Sequence, residues 1–114
     1  MTRYNRGDVV LVPFPFSDQT AAKKRPAIVV SSDSYNSISQ DIVIMAITGQ
    51  IRGHIGTGEF LIEDWQGAGL LKASAVKSAI STIDQRLVVR ILGKLSSKDL
   101  STLQKALREL FDLR

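Results

Sequence analysis

The chain has 114 residues, 44% of them hydrophobic and 23% charged, which is the composition of a globular protein and the length of one domain, 1–114, with a single core. It contains no cysteine, which excludes disulfides and cysteine-held zinc and fits a cytosolic protein. No leader with a basic start and an apolar stretch opens it, and no apolar run reaches the roughly 18 residues of a membrane span, so neither targeting nor membrane insertion is expected.

After a short polar start, Asp8-Val9-Val10-Leu11-Val12 reads as a first strand, closed by Pro13-Phe14-Pro15-Phe16, where two prolines argue against a central strand. Residues 17–24 form a polar and basic loop. It runs through Lys23-Lys24-Arg25-Pro26 into Ala27-Ile28-Val29-Val30-Ser31, an apolar run without alternation that reads as a strand over 27–31 buried on both faces. Pro26 suits only its first position or an edge. Arg25, being the residue before a proline, is pushed towards extended backbone, and its guanidinium offers a fork of donors that matches phosphate geometry.

Residues 32–37 carry capping and turn residues that fit one helical turn. Asp41 to Ile47 is a second fully apolar strand, ending at Thr48-Gly49-Gln50. If these two strands are antiparallel neighbours, placing Ser31 opposite Ile42 places Arg25 opposite Thr48. Opposed residues of such a ladder lie about 4.5–5.5 Å apart at Cα, close enough to hold a phosphate between their side chains.

The stretch 51–58 is rich in glycine and carries the single histidine, His54. A short strand over 59–62, a turn over 64–69, and strands over 73–80 and 87–95 follow, with Gly93 marking a bend or bulge. From Lys98 the period changes. Leu100, Leu103, Leu107, Leu110 and Phe111 recur at helical spacing, and Ser96 with Asp99 supplies a capping-box start. Five or six short strands and a C-terminal helix make a mainly β fold, a small barrel or strongly bent sheet with the helix packed on its open side.

Charge and residue inventory narrow the chemistry. Lysine and arginine number 15 against 11 acids, a net +4. Between Trp65 and Lys98 six basic residues, Lys72, Lys77, Arg86, Arg90, Lys94 and Lys98, face one acid, Asp84, a local excess of five that suits a polyanion. A metal site would need Asp and Glu alone, and Glu63-Asp64, the only adjacent acidic pair, reads better as a turn cap. A serine triad could use only His54, on a poorly held loop. There is no Walker loop, and the glycines at 53, 56 and 58 fail the dinucleotide spacing. What remains is an arginine and a threonine converging at the end of a rigid sheet. Such a pair can bind a phosphodiester and stabilise its growing charge, but arginine makes a poor proton acceptor. A nuclease built on it would use the RNA 2′-hydroxyl as internal nucleophile, with neither metal nor other cofactor.

Gly7-Asp8-Val9-Val10-Leu11-Val12, Lys24-Arg25-Pro26-Ala27-Ile28-Val29-Val30-Ser31, Ile47-Thr48-Gly49-Gln50, Gly69-Leu70-Leu71-Lys72-Ala73-Ser74, Thr82-Ile83-Asp84 and Leu92-Gly93-Lys94-Leu95-Ser96 resemble, in order and spacing, the MazF/PemK toxins of bacterial type II toxin–antitoxin modules. The resemblance implies a homodimeric SH3-like barrel of the CcdB/MazF toxin type. It also implies metal-independent, sequence-specific cleavage of single-stranded RNA to a 2′,3′-cyclic phosphate and inhibition by a cognate antitoxin protein. The family's catalytic arginine and threonine fall on Arg25 and Thr48. Lys23, Lys24 and Lys72 are candidates for drawing in the RNA, and Ser17, Asp18 and Gln50 for contacts to phosphate or base edges. Two positions depart from the family pattern: Gly49 stands where a serine is usual, and Ser78-Ala79 where a Glu-Gln pair is frequent. The same barrel also serves CcdB-type toxins that act on a protein target, and an inactive RNA-binding relative is a third reading.

Overall fold

A computed structural model describes residues 3–14 and 23–114. Its elements are β1 (Asp8–Pro13), β2 (Lys24–Val29), α1 (Asp33–Ile38), β3 (Asp41–Thr48), β4 (Phe60–Leu61), β5 (Ala75–Asp84), a 3-10 turn (Gln85–Leu87), β6 (Arg90–Lys94) and α2 (Ser97–Phe111). The six strands form one sheet of order β4-β5-β3-β2-β1-β6, and every neighbouring pair is antiparallel.

Apolar runs without alternation fix the centre of this sheet. Ala27, Val29, Ile42, Ile44 and Ala46 project into one core with Val10, Val12 and Ile83, while Ile28, Met45 and Ile47 project into another with Val9, Phe60, Val76 and Leu103. Both faces of β2 and β3 are therefore buried, as their composition predicts. The second of these cores closes under α2. Leu103 is fully buried, and Leu100, Leu107 and Leu110 pack against the same cluster. Phe111 departs from the expected stripe, being 54% exposed.

The sheet cannot be flat. Only residues 85–89 join β5 to β6, although β3, β2 and β1 lie between them. Four inter-strand steps span about 19 Å, whereas a link containing a 3-10 turn reaches about 16 Å. The strands must curl, and Val88 of the link packs on the core that contains Val10, Ala27 and Ile44. The result is a half-barrel with α2 on its other face, the mainly β fold with a C-terminal helix read from the sequence.

Several boundaries differ from expectation. β2 begins at Lys24, three residues early, and Pro26 lies inside it, opposite Leu11. The β2–β3 ladder starts only at Ala27, so the ring's missing N–H falls where β2 has no ladder on that side. β5 runs four residues past the expected end, to Asp84, because its far half pairs with the start of β3. The link to β6 takes the 3-10 turn in place of a strand start at 87. The expected irregularity at Gly93 is a bulge, since Val9 faces Gly93 and Val10 faces Ile91, leaving Leu92 extra.

The helix start is tied to the sheet by one carboxylate. Ser96 Oγ accepts from Asp99 N (3.2 Å) as the expected cap. Asp99 itself is buried, and its two oxygens accept from Glu63 N (3.0 Å) and Asp64 N (2.8 Å). The carboxylate thereby fixes the segment leading from β4 into the turn over 64–69. Glu63 pairs outward with Lys98 (3.0 Å), and Asp64 O accepts from Ala68 N (3.1 Å), so this acidic pair serves turn and surface. Asp99→Ala leaves two backbone donors without their partner and is expected to cost about 2–4 kcal/mol in urea unfolding; a loss under about 0.5 kcal/mol contradicts this role.

Candidate active site

The ladder Ala27↔Ala46, Ile28↔Met45 and Val29↔Ile44 pairs residues whose numbers sum to 73. This is the register expected from the sequence. Continued by two residues, it sets Arg25 opposite Thr48, and strand alternation puts both on the face that carries Ala27, Val29, Ile44 and Ala46. Both residues line a cavity of about 600 Å³ at the end of the half-barrel, whose apolar wall, with Ile47 and Leu70, belongs to the opposite face, the one packed under α2. Its polar lining is Arg25, Thr48, Gln50, Lys72, Ser74 and Arg90, and its apolar wall includes Leu11, Pro26, Ile47, Leu70 and Leu92.

Three cations and no carboxylate face this space among the described residues, so a buried or half-buried anion meets attraction from several sides. Arg25 is half-buried on a strand flanked by Val12 of β1. Thr48 Oγ1 accepts from Gln50 N at 3.0 Å. A hydroxyl fixed as acceptor in this way keeps its proton for donation, which is what a non-bridging phosphate oxygen requires.

Arg90 is the lining cation that the sequence did not single out, and Ser74 is a second polar lining residue outside the candidates. The available signal was the basic excess between Trp65 and Lys98, but only the curl of the sheet shows which of those six cations reaches the pocket. Arg90 pairs with Leu11, and Leu11 with Pro26, so β6 brings it to the same end as Arg25. The wall that carries Lys72 is held by backbone contact without side chains. Gly69 adopts φ +82°, and a Cβ there would collide with the carbonyl of Leu92, while one on Gly93 would collide with that of Ala68. Glycine at both positions lets the turn before Lys72 lie directly on β6.

Other candidates fall elsewhere. Lys23 and Lys24 are exposed and outside the pocket lining. Ser17 and Asp18 lie outside the described residues. His54 is exposed on the loop between β3 and β4, away from the lining. Among the described residues, no three His, Cys, Asp or Glu side chains cluster. Ser78 and Ala79 do not line the pocket either. They sit where β5 bulges opposite Ala46, and Ser78 N donates to Glu59 Oε2 (3.2 Å).

A model of the PemK-like, MazF-like toxins of type II toxin–antitoxin systems matches residues 5–111. The chain belongs to this family. Its fold is similar to a mycobacterial endoribonuclease solved in complex with its cognate antitoxin (18% identity, 100% of this chain and 98% of that one, TM-score 0.75). It is similar as well to the Mycobacterium tuberculosis toxin MazF-mt6 (21%, 94% and 98%, 0.75) and to MazE-MazF from Deinococcus radiodurans (18%, 99% and 100%, 0.76). A search of curated protein sequences found no match. In this MazF/PemK toxin, Arg25 and Thr48 line one pocket, while Ser78 is tied by its backbone N–H to Glu59.

That contact has a pH signature. Glu59 accepts from Ser78 N and Gly56 N and pairs with Lys77 (3.3 Å). Burial raises the pKa of Glu59, but the backbone donors and Lys77 together outweigh it and hold the carboxyl below its ordinary value. Its stabilisation is present above the ordinary carboxylate range and lost as pH falls through the lowered pKa. Glu59→Gln should therefore flatten the decline of Tm between about pH 5 and pH 3; an unchanged decline contradicts it.

Proposed function

We propose that this toxin is a metal-independent, sequence-specific endoribonuclease acting in the cytoplasm on single-stranded RNA. In this reading the 2′-hydroxyl next to the scissile bond attacks the phosphorus, the P–O5′ bond breaks, and the products carry a 2′,3′-cyclic phosphate and a 5′-hydroxyl. Arg25 binds the phosphate and offsets the charge that grows on it, and Thr48 donates to a non-bridging oxygen. Lys72 and Gln50 hold neighbouring parts of the strand, and Lys23 and Lys24 attract it from outside the pocket. Ser17 and Asp18 complete the candidate contacts. The observation that supports the reading is that Arg25 and Thr48 line one cavity with three cations and no carboxylate among its described lining. The described lining carries neither imidazole nor carboxylate, and what its groups contribute is orientation and charge stabilisation.

Partners follow from the family. Solved relatives include an endoribonuclease with its cognate antitoxin and a MazE-MazF pair, and this chain is proposed to act as a homodimer held inactive by its own antitoxin.

The test is incubation with single-stranded RNA in excess EDTA, followed by analysis of the ends. Cyclic-phosphate ends are expected, with Arg25→Ala slower by about 10²–10³ and Thr48→Ala by about 10–10². Products with 3′-monophosphate ends that require magnesium contradict the mechanism. Full growth toxicity retained by both variants favours a toxin that acts on a protein target. RNA that is bound with strong salt dependence but never cut indicates an inactive relative.

A further inference from the structure

Gly49 and Lys72 interlock at the rim of the pocket. A Cβ built on Gly49 would collide with Lys72 Cε and stand 3.1 Å from Nζ and 3.2 Å from Cδ. The lysine stem therefore lies across the space that any side chain at 49 would fill. Backbone conformation does not demand glycine here, because Gly49 is not among the glycines with positive φ. Both main chains are held locally: Gln50 N donates to Thr48 Oγ1, and buried Ser74 donates from Oγ to Lys72 O at 2.8 Å. A side chain at 49 would be accommodated by moving the lysine stem, since that is the flexible partner.

We infer that Gly49 is a positioning residue whose missing side chain admits the Lys72 ammonium to the pocket as a second phosphate-binding cation beside Arg25. This rests on the ribonuclease reading and adds to it a substrate requirement, since a second fixed cation suits a strand with a phosphate flanking the scissile one and not a lone nucleotide. It also gives the departure at position 49 a physical role, with a lysine occupying the place that a side chain there would take.

The test is a cycle of Gly49→Ala, Lys72→Met and the double variant, read by binding of a 2′-O-methyl version of the RNA that the wild type cuts, at several salt concentrations. Each single variant should bind about three- to tenfold more weakly and lower the slope of log affinity against log salt by about 0.7. The double variant should be no weaker than either single one. Tm of Gly49→Ala should match or exceed that of the wild type, separating this effect from misfolding. Wild-type binding by Gly49→Ala, or losses that multiply in the double variant, overturns the inference while leaving the nuclease reading intact. A wild type that neither cuts nor binds single-stranded RNA overturns both.

Discussion

The register between β2 and β3 is the constraint on which the rest of this molecule depends. Both strands are buried on both faces, so a slip of one residue would exchange Ala27 and Val29 with Ile28, and Ile44 and Ala46 with Met45, between two differently shaped cores. The packing that forbids such a slip is apolar and lies entirely inside the strands. Its consequence is polar and lies at their ends, where Arg25 and Thr48 are set opposite one another. Core packing here therefore specifies the spacing of functional groups that take no part in the core.

The curl of the sheet turns that pair into a pocket. A short link from β5 forces β6 round to β1 and carries Arg90 to the mouth, while glycines 69 and 93 let the turn before Lys72 rest on β6 backbone to backbone. Asp99 anchors the other end of the same segment by holding the amides of Glu63 and Asp64. The wall opposite Arg25 is thus fixed by a buried carboxylate at one end and by two glycines at the other. Rigidity of this kind suits a site whose chemistry rests on pre-placed charge, because donors that need not reorganise stabilise a transition state most effectively.

Much of this was legible in the sequence because its signals are local. Unbroken apolar runs marked β2 and β3, helical spacing marked α2, and a constant register between two neighbours paired Arg25 with Thr48. The features that escaped depend on contacts distant in sequence. Which of six basic residues enters the pocket follows from the closure of β6 onto β1, and Phe111 matched the helical stripe although its side chain stays half exposed. Pro26 inside β2 was missed for a related reason, since a strand can be central over one half of its length and lack a ladder over the other. The role of Gly49 is visible only against the side chain of Lys72, 23 positions further along the chain.

The central claim is that one phosphate is gripped jointly by a guanidinium and a hydroxyl presented from adjacent strands. A crystal structure with a 2′-deoxy analogue of the cleaved RNA tests it most directly. The account predicts the scissile phosphate within about 3 Å of both the Arg25 guanidinium and Thr48 Oγ1. A strand whose phosphates all bind elsewhere, for example along Lys23 and Lys24 with Thr48 untouched, would contradict it.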